Sequence, residues 1–68
     1  MITYYLTLKD NFDPPAYYGT LKNSMGFVYF PPSFVKSRLG YLPKEIEIES
    51  NNDWDFKHYN CLIKDRSK

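Results

Sequence analysis

Two side chains that could take part in covalent chemistry lie near the end of the chain, His58 and Cys61. They are the single histidine and the single cysteine of the sequence. A cysteine nucleophile needs a base within hydrogen-bonding distance, and a histidine often supplies it. The segment 54–63 alternates in a way that predicts a strand, on which residues three positions apart point to opposite faces. The spacing therefore argues against a nucleophile–base pair, and we expect a packed cysteine and an exposed or hydrogen-bonded histidine.

A second possible chemistry is metal binding by Asp53, Asp55 and His58, because carboxylates and imidazole both bind divalent metals. A polar turn followed by a strand explains these residues equally well. No glycine-rich stretch matches a nucleotide-binding fingerprint. We therefore expect no metal, no cofactor, no small-molecule substrate and no enzymatic activity, which leaves binding as the function to expect.

The elements that would position any site are predicted to be mainly strands. Runs of β-branched and aromatic residues, bounded by proline, glycine and asparagine, favour short strands, and short connections favour antiparallel pairing. The sequence thus predicts a mostly β, single-domain fold over 1–68, with a small antiparallel sheet or barrel of about five strands and a charged tail at 64–68 that frays. The predicted strands are 2–8, with Ile2, Tyr4, Leu6 and Leu8 on one face, then 16–21, 27–30, 44–50 and 54–63.

One short helix near 33–39 is predicted between the third and fourth strands. Pro31 ends the preceding strand because it has no N–H to donate, and Pro32 or Ser33 can begin a helix. Gly40 can end the helix in the left-handed conformation. The helical spacing places four residues on the apolar face, Phe34, Val35, Leu39 and Leu42, and Lys36, Ser37 and Gly40 on the opposite face. Leu39 lies at the centre of the apolar face and is therefore the expected core residue.

The region around this helix has a distinctive order of strand, proline, helix, Leu-Gly, proline and strand. Its key residues are Gly26, Val28, Phe30 and Pro31 in the first half and Leu39, Gly40, Tyr41 and Pro43 in the second. In this order the segment 26–48 resembles the swapped-hairpin domain of AbrB-type transition regulators and MazE-type antitoxins. Lys44 and Glu45 stand where that family has Gly-Asp.

The resemblance implies a function in transcription regulation or as an antitoxin. Swapped-hairpin proteins form homodimers by interleaving two hairpins, and basic residues on the dimer surface contact DNA. The net charge of +1 adds no independent electrostatic argument for DNA binding, and the same cations could be ordinary surface residues. The DNA contacts that the resemblance implies are Lys22, Lys36, Arg38 and Lys44.

An alternative function is binding to a protein partner. The chain has seven tyrosines, five phenylalanines and one tryptophan, more large aromatic side chains than so small a domain can bury. Those left at the surface would form an aromatic patch suited to a protein. In composition the chain resembles the compact inhibitor or adaptor proteins that phages and mobile elements encode to bind host proteins. The candidates are Tyr4, Tyr5, Tyr17, Tyr18, Tyr29 and Trp54, with an acidic edge of Glu45, Glu47 and Glu49 that could engage a basic partner or blunt a sheet edge.

Length and composition set the remaining expectations. A chain of 68 residues buries only about 60% of its unfolded surface, and small folds commonly gain stability by dimerising. One cysteine rules out an internal disulfide. The sequence has no signal-peptide pattern and no apolar run of membrane-spanning length, which predicts a cytoplasmic protein with no membrane partner.

Overall fold

In the part of the chain that the structure describes, the strands form one antiparallel sheet of five strands, and one short helix packs on one of its faces. The computed structural model describes residues 1–20, 27–52, 55–56 and 58–67. Its sheet has the order β3-β2-β1-β4-β5, so that β3 and β5 lie at opposite edges of an open sheet. The mostly β prediction is confirmed, as a sheet rather than a barrel. The elements are β1 (Ile2–Lys9), β2 (Ala16–Thr20), β3 (Phe27–Phe30), α1 (Pro32–Leu39), β4 (Glu45–Ser50) and β5 (Leu62–Asp65).

β1 is the central strand, and its alternation decides which face of the sheet is buried. Tyr4 and Leu6 are buried, while Tyr5 between them is exposed. Side chains of successive strand residues point to opposite faces, so the apolar set at even positions faces the core. Tyr4 and Leu6 pair with Ile48 and Ile46 of β4, both fully buried, which confirms the predicted inward face of this strand.

α1 is bracketed by proline and glycine as predicted. Its first residue is Pro32, and it follows Pro31, which has extended geometry. Gly40 ends the helix at a φ of 85°, and its N–H donates to the carbonyl oxygen of Lys36 at 2.8 Å. A left-handed residue at this position satisfies one of the last helical carbonyls, and glycine adopts it without strain.

The residue at the centre of the buried face of α1 is not the one predicted. Val35 is fully buried, whereas Phe34 and Leu39 are partly buried and pack against the core. Leu42 is 42% exposed, because the helix ends at Leu39 and the chain then turns toward β4. The expectation that Leu39 is the central core residue is therefore wrong, and Val35 takes that place.

The C-terminal part also departs from the prediction, since the strand expected over 54–63 begins only at Leu62. Local hydrogen bonds form turns before it. The Asn52 side-chain oxygen accepts from the N–H of Asp55 at 3.0 Å, and the N–H of Asn60 donates to the carbonyl of Asp55 at 2.7 Å. Asparagine side chains that bond to nearby backbone compete with strand pairing, and that competition accounts for the difference.

The prediction of a frayed tail at 64–68 is wrong for its first residues, because Lys64 and Asp65 belong to β5 and pair with Glu47 and Ile46. The N–H of Arg66 extends this ladder by donating to the carbonyl of Glu45 at 3.0 Å. The backbone edge of β4 supplies these bonds and Ile63 is buried against the core, so the segment gains more from pairing than from remaining free.

A buried tyrosine fastens the loop between α1 and β4 to the sheet. Tyr17 of β2 is fully buried, and its hydroxyl donates to the carbonyl oxygen of Pro43 at 2.6 Å. Burial first, and the negative charge of Asp65 second, raise the pKa of Tyr17 to about 12. The phenol is therefore a neutral hydrogen-bond donor at physiological pH.

Candidate functional site

The face of the sheet opposite α1 is the candidate site, and we call it the outer face. The helix and the turns before β5 pack on the other face, where Val35, Phe56 and Cys61 join the core. In the described parts of the chain no helix covers the outer face. Antiparallel sheets often leave one face in solvent, but such a face is normally lined by small or polar residues rather than by exposed aromatic rings.

The strand register arranges the side chains of the outer face in three rows. Directly opposite residues on neighbouring antiparallel strands have their side chains about 4.5–5.5 Å apart. Each row is therefore a set of neighbours rather than a set of scattered residues. The first row runs Tyr29, Tyr18, Thr7 and Glu45; the second runs Tyr5, Glu47 and Lys64; the third runs Thr3, Glu49 and Leu62.

Three aromatic rings lie together on the β2–β3 side of the outer face, and we call them the aromatic cluster. The Tyr18 ring lies 5.9 Å from that of Tyr29 in an edge-to-face arrangement. Phe12 reaches over from the β1–β2 loop to within 5.1 Å of Tyr18, measured between ring centroids. Phe12 is 50% exposed and Tyr29 is 52% exposed. The rings hold one another in place while presenting apolar area to solvent.

Tyr5 lies at the centre of the outer face, beneath a cation from the same chain. Its ring is 48% exposed, and the guanidinium carbon of Arg66 lies 3.9 Å from the ring centroid. This distance is well within the range for cation–π attraction. The backbone bond from Arg66 to Glu45 positions the arginine side chain over the ring.

Charged side chains fill the β4–β5 side of the outer face. The Lys64 ammonium lies 3.3 Å from the carboxylate of Glu49 and 4.0 Å from that of Glu47. Glu45 continues the same line of carboxylates at the end nearer Arg66. Partly exposed ion pairs of this kind contribute little to stability, about 0–1 kcal/mol. Their main effect is to place a cluster of charge directly beside the exposed Tyr5.

The tyrosines predicted as candidates for a binding patch fall into an exposed group and a buried group. Tyr5, Tyr18 and Tyr29 lie on the outer face, but Tyr4 and Tyr17 are buried and do not belong to the surface. Tyr4 faces the core because it occupies an even position of β1, where its ring packs 4.2 Å from that of Phe56. Trp54 lies outside the described residues.

Sequence reasoning missed four members of the outer face, namely Phe12, Leu62, Lys64 and Arg66. Phe12 lies between the first two predicted strands, and no local pattern shows that a residue there folds over Tyr18 of the next strand. Leu62 falls in the longer strand predicted over 54–63, and Lys64 and Arg66 fall in the predicted frayed tail. Only the pairing of β5 with β4 brings them to this face.

The cations that the family resemblance implied as DNA contacts lie elsewhere. Lys36 and Arg38 are exposed on α1, and Lys44 is exposed just before β4. The Arg38 guanidinium carbon lies 4.9 Å from the Phe34 ring centroid, so the stem of Arg38 covers part of the apolar helix face. Lys22 lies outside the described residues.

The two residues considered for catalysis differ in their exposure to solvent. His58 is exposed in a turn, and Cys61 is buried. Burial raises the pKa of the Cys61 thiol, with a smaller upward contribution from Asp55 and an opposing one from Arg38. The thiolate required of a nucleophile is therefore disfavoured. Within the described residues no three histidine, cysteine or acidic side chains cluster as metal ligands, and Asp53 lies outside them.

Comparison with protein-family models, with curated proteins and with solved structures found no significant match to this chain. Across the described parts of the chain, no helix combines the length and the apolar character that crossing a membrane requires.

Proposed function

We propose that this chain is a binding protein without enzymatic activity and that it acts by docking a protein partner on the outer face. The observation that supports this proposal is the exposure of Tyr5, Tyr29 and Phe12 on a sheet face that α1 does not cover. Three large rings in contact with solvent on one face are costly to leave hydrated. A partner that covers them would gain most of its affinity from that burial.

The geometry of the aromatic cluster suits protein recognition. Tyrosine supplies a large, fairly rigid contact area with only two side-chain torsions, which keeps the entropy lost on binding low. The edge-to-face contact of Tyr18 with Tyr29 and the packing of Phe12 on Tyr18 further restrict the rings before a partner arrives. Preorganised aromatic groups of this kind are typical of residues that dominate interface affinity.

The charges of the same face favour a protein over a nucleic acid. Glu45, Glu47 and Glu49 form a line of three carboxylates, and carboxylates repel the phosphate backbone that dominates nucleic-acid affinity. An inhibitor or adaptor that occupies a surface of a host protein would use such a face. This agrees with the class of compact proteins that the composition resembles.

A site-specific photo-crosslinking experiment tests this proposal in the cell that encodes the protein. A photoreactive phenylalanine analogue would replace Tyr29 in one variant and Lys36, on the helix side, in a matched control. We expect a discrete protein adduct from position 29 and none from position 36, because only position 29 lies on the outer face. The adduct should disappear when Tyr5 and Phe12 are both changed to serine.

Adducts from position 36 alone, or no adduct from either position, would contradict docking on the outer face. Circular dichroism of the variants must remain that of the parent protein. All three replaced outer-face side chains are about half exposed, so their substitution is expected to leave the fold intact.

A homodimeric DNA-binding regulator or antitoxin is the second candidate, supported by the exposure of Lys36, Arg38 and Lys44 around the segment that resembles swapped-hairpin domains. This candidate predicts a dimer in light scattering and a gel shift of duplex DNA at low salt. Each alanine replacement of these cations should then reduce the slope of log affinity against log salt by about one. A monomer that shifts no DNA at low salt eliminates it. Since β3 and β4 belong to one sheet formed within a single chain, we rank it second.

A further inference from the structure

We propose that the partner segment is basic and that an arginine side chain of the partner takes the place that Arg66 now occupies over Tyr5. This inference rests on the proposed docking function and names the chemistry of the partner. It commits to an arginine-bearing protein segment, rather than to an acidic or a purely apolar one.

The first argument is that the outer face already holds a guanidinium. The Arg66 side chain stacks on Tyr5 at 3.9 Å, while its own backbone is fixed by the bond to Glu45. Arg66 is exposed, so nothing in the fold requires the guanidinium to stay on the ring. A guanidinium from another chain can therefore replace it by a simple exchange, because the side-chain torsions of Arg66 move without disturbing the backbone bond.

The second argument is the charge beside the ring. Tyr5 is directly opposite Glu47 in the strand register, and Glu45 and Glu49 flank Glu47 on the same face. Lys64 is shared between Glu47 and Glu49. Beside Tyr5, three carboxylates therefore stand against two cations, Lys64 and Arg66, and this excess of negative charge attracts a further cation. Planar guanidinium groups combine stacking on aromatic rings with bonds to carboxylates better than lysine does.

The third argument concerns the neighbouring aromatic cluster. Tyr18 lies opposite Thr7 in the row next to Tyr5, so an extended segment crossing the strands would contact the rings and the carboxylates in succession. Its apolar residues would cover Phe12 and Tyr29, while its arginine would lie over Tyr5. One ligand of mixed basic and apolar character therefore satisfies the whole face.

Fluorescence anisotropy tests the inference on the full chain with a labelled peptide in which a run of valines precedes alternating arginine and threonine. A second peptide with citrulline at every arginine keeps the shape and removes the charge. We expect the arginine peptide to bind and the citrulline peptide to bind at least about tenfold more weakly, since both cation–π and carboxylate contacts are lost. Tyr5→Leu should weaken binding of the arginine peptide about three- to tenfold.

Arg66→Ala provides the sharpest measurement because it removes the internal competitor. We expect this variant to bind the arginine peptide about three- to tenfold more tightly than the parent protein. Lys36→Ala is the matched control, since it removes one positive charge from the helix side, away from the outer face. It should change the affinity less than about twofold at physiological salt, where charges more than about 8 Å apart are screened.

If Arg66→Ala and Lys36→Ala raised the affinity for the arginine peptide equally, the change in net charge would explain the effect, and the inference would be overturned. Equal binding of the arginine and citrulline peptides would overturn it as well. In either case a crosslinked protein at position 29 would leave the docking proposal standing with a partner of different chemistry. Conversely, peptide binding that depends on Tyr5 and Arg66, without a cellular adduct, would support the basic site and count against the proposed cellular function.

Discussion

Replacing Gly19 by alanine is expected to destabilise the protein by about 3 kcal/mol or more. Gly19 lies in β2, and a Cβ added there would collide with Cδ2 of Leu6 and with the backbone carbonyl oxygen of Tyr5. A flexible side chain could move away, but the carbonyl of a central strand cannot move without separating β1 from β2. The glycine is therefore required for the close approach of the two strands.

The size of this effect follows from comparing strain with total stability. Overpacking a core ordinarily costs about 1–3 kcal/mol and occasionally more, and a backbone collision belongs at the upper end. A domain of this length has a total stability of roughly 3–10 kcal/mol. Thermal unfolding followed by circular dichroism should show loss of the cooperative transition or a greatly lowered midpoint.

Gly40→Ala is a matched control, because its cost comes from backbone conformation and not from a collision. It has a φ of 85° but nothing within 4 Å of an added Cβ, so Gly40→Ala costs only the conformational strain of a left-handed alanine, about 1–2 kcal/mol. If Gly19→Ala cost as little stability as Gly40→Ala, β1 and β2 could not approach as closely at Gly19 as the structure shows. The position of Tyr5 relative to Tyr18 would then be wrong as well, because the approach of these two strands aligns the rows of the outer face.

The elements that were predictable from sequence are those that local chemistry specifies. Alternation of apolar and polar residues in β1 and β4 shows which face is buried, and Pro31 with Gly40 brackets α1. The segment before β5 was not predictable, because its aromatic residues alternate imperfectly. The turns there depend on hydrogen bonds of Asn52 and Asn60 that compete with a strand.

The candidate site was predictable only in part, for a related reason. Alternation in β1 already implies that Tyr5 faces away from Tyr4. Strand order is a tertiary property, however, and it alone places Tyr29 beside Tyr18 and Glu47 beside Tyr5. The contact of Arg66 with Tyr5 requires β5 to pair with β4 in one particular register, which no local pattern encodes.

Removing the hydroxyl of Tyr17 is expected to lower the folding stability at neutral pH. It should also remove part of the stability loss that the parent protein shows at high pH. Tyr17→Phe keeps the buried ring but leaves the carbonyl oxygen of Pro43 without its donor. An unsatisfied buried acceptor costs about 1–3 kcal/mol. Urea denaturation at pH 8 should show this loss, whereas Tyr29→Phe, at a half-exposed position of the outer face, should change stability by less than about 0.5 kcal/mol.

The pH dependence of the difference between the two proteins identifies the buried phenol as the cause. The folded pKa of Tyr17, about 12, lies above the ordinary tyrosine value of 10.0, so the folded protein holds the proton more tightly than the unfolded chain does. Its contribution is full below pH 10 and is lost as the pH rises through 12. A shift of this size corresponds to on the order of 2–3 kcal/mol.

The stability advantage of the parent protein over Tyr17→Phe should therefore shrink between pH 10 and pH 12, because only the parent has this group to ionise. All other ionisable groups are the same in both proteins, so their effects cancel in the difference. Ionisation would turn the hydrogen-bond donor into a phenolate facing the Pro43 carbonyl oxygen, which repels it in a buried setting. An advantage that stays constant over this range would show that Tyr17 ionises as readily in the folded protein as in the unfolded chain, and the loop anchor would then have to be exposed to solvent.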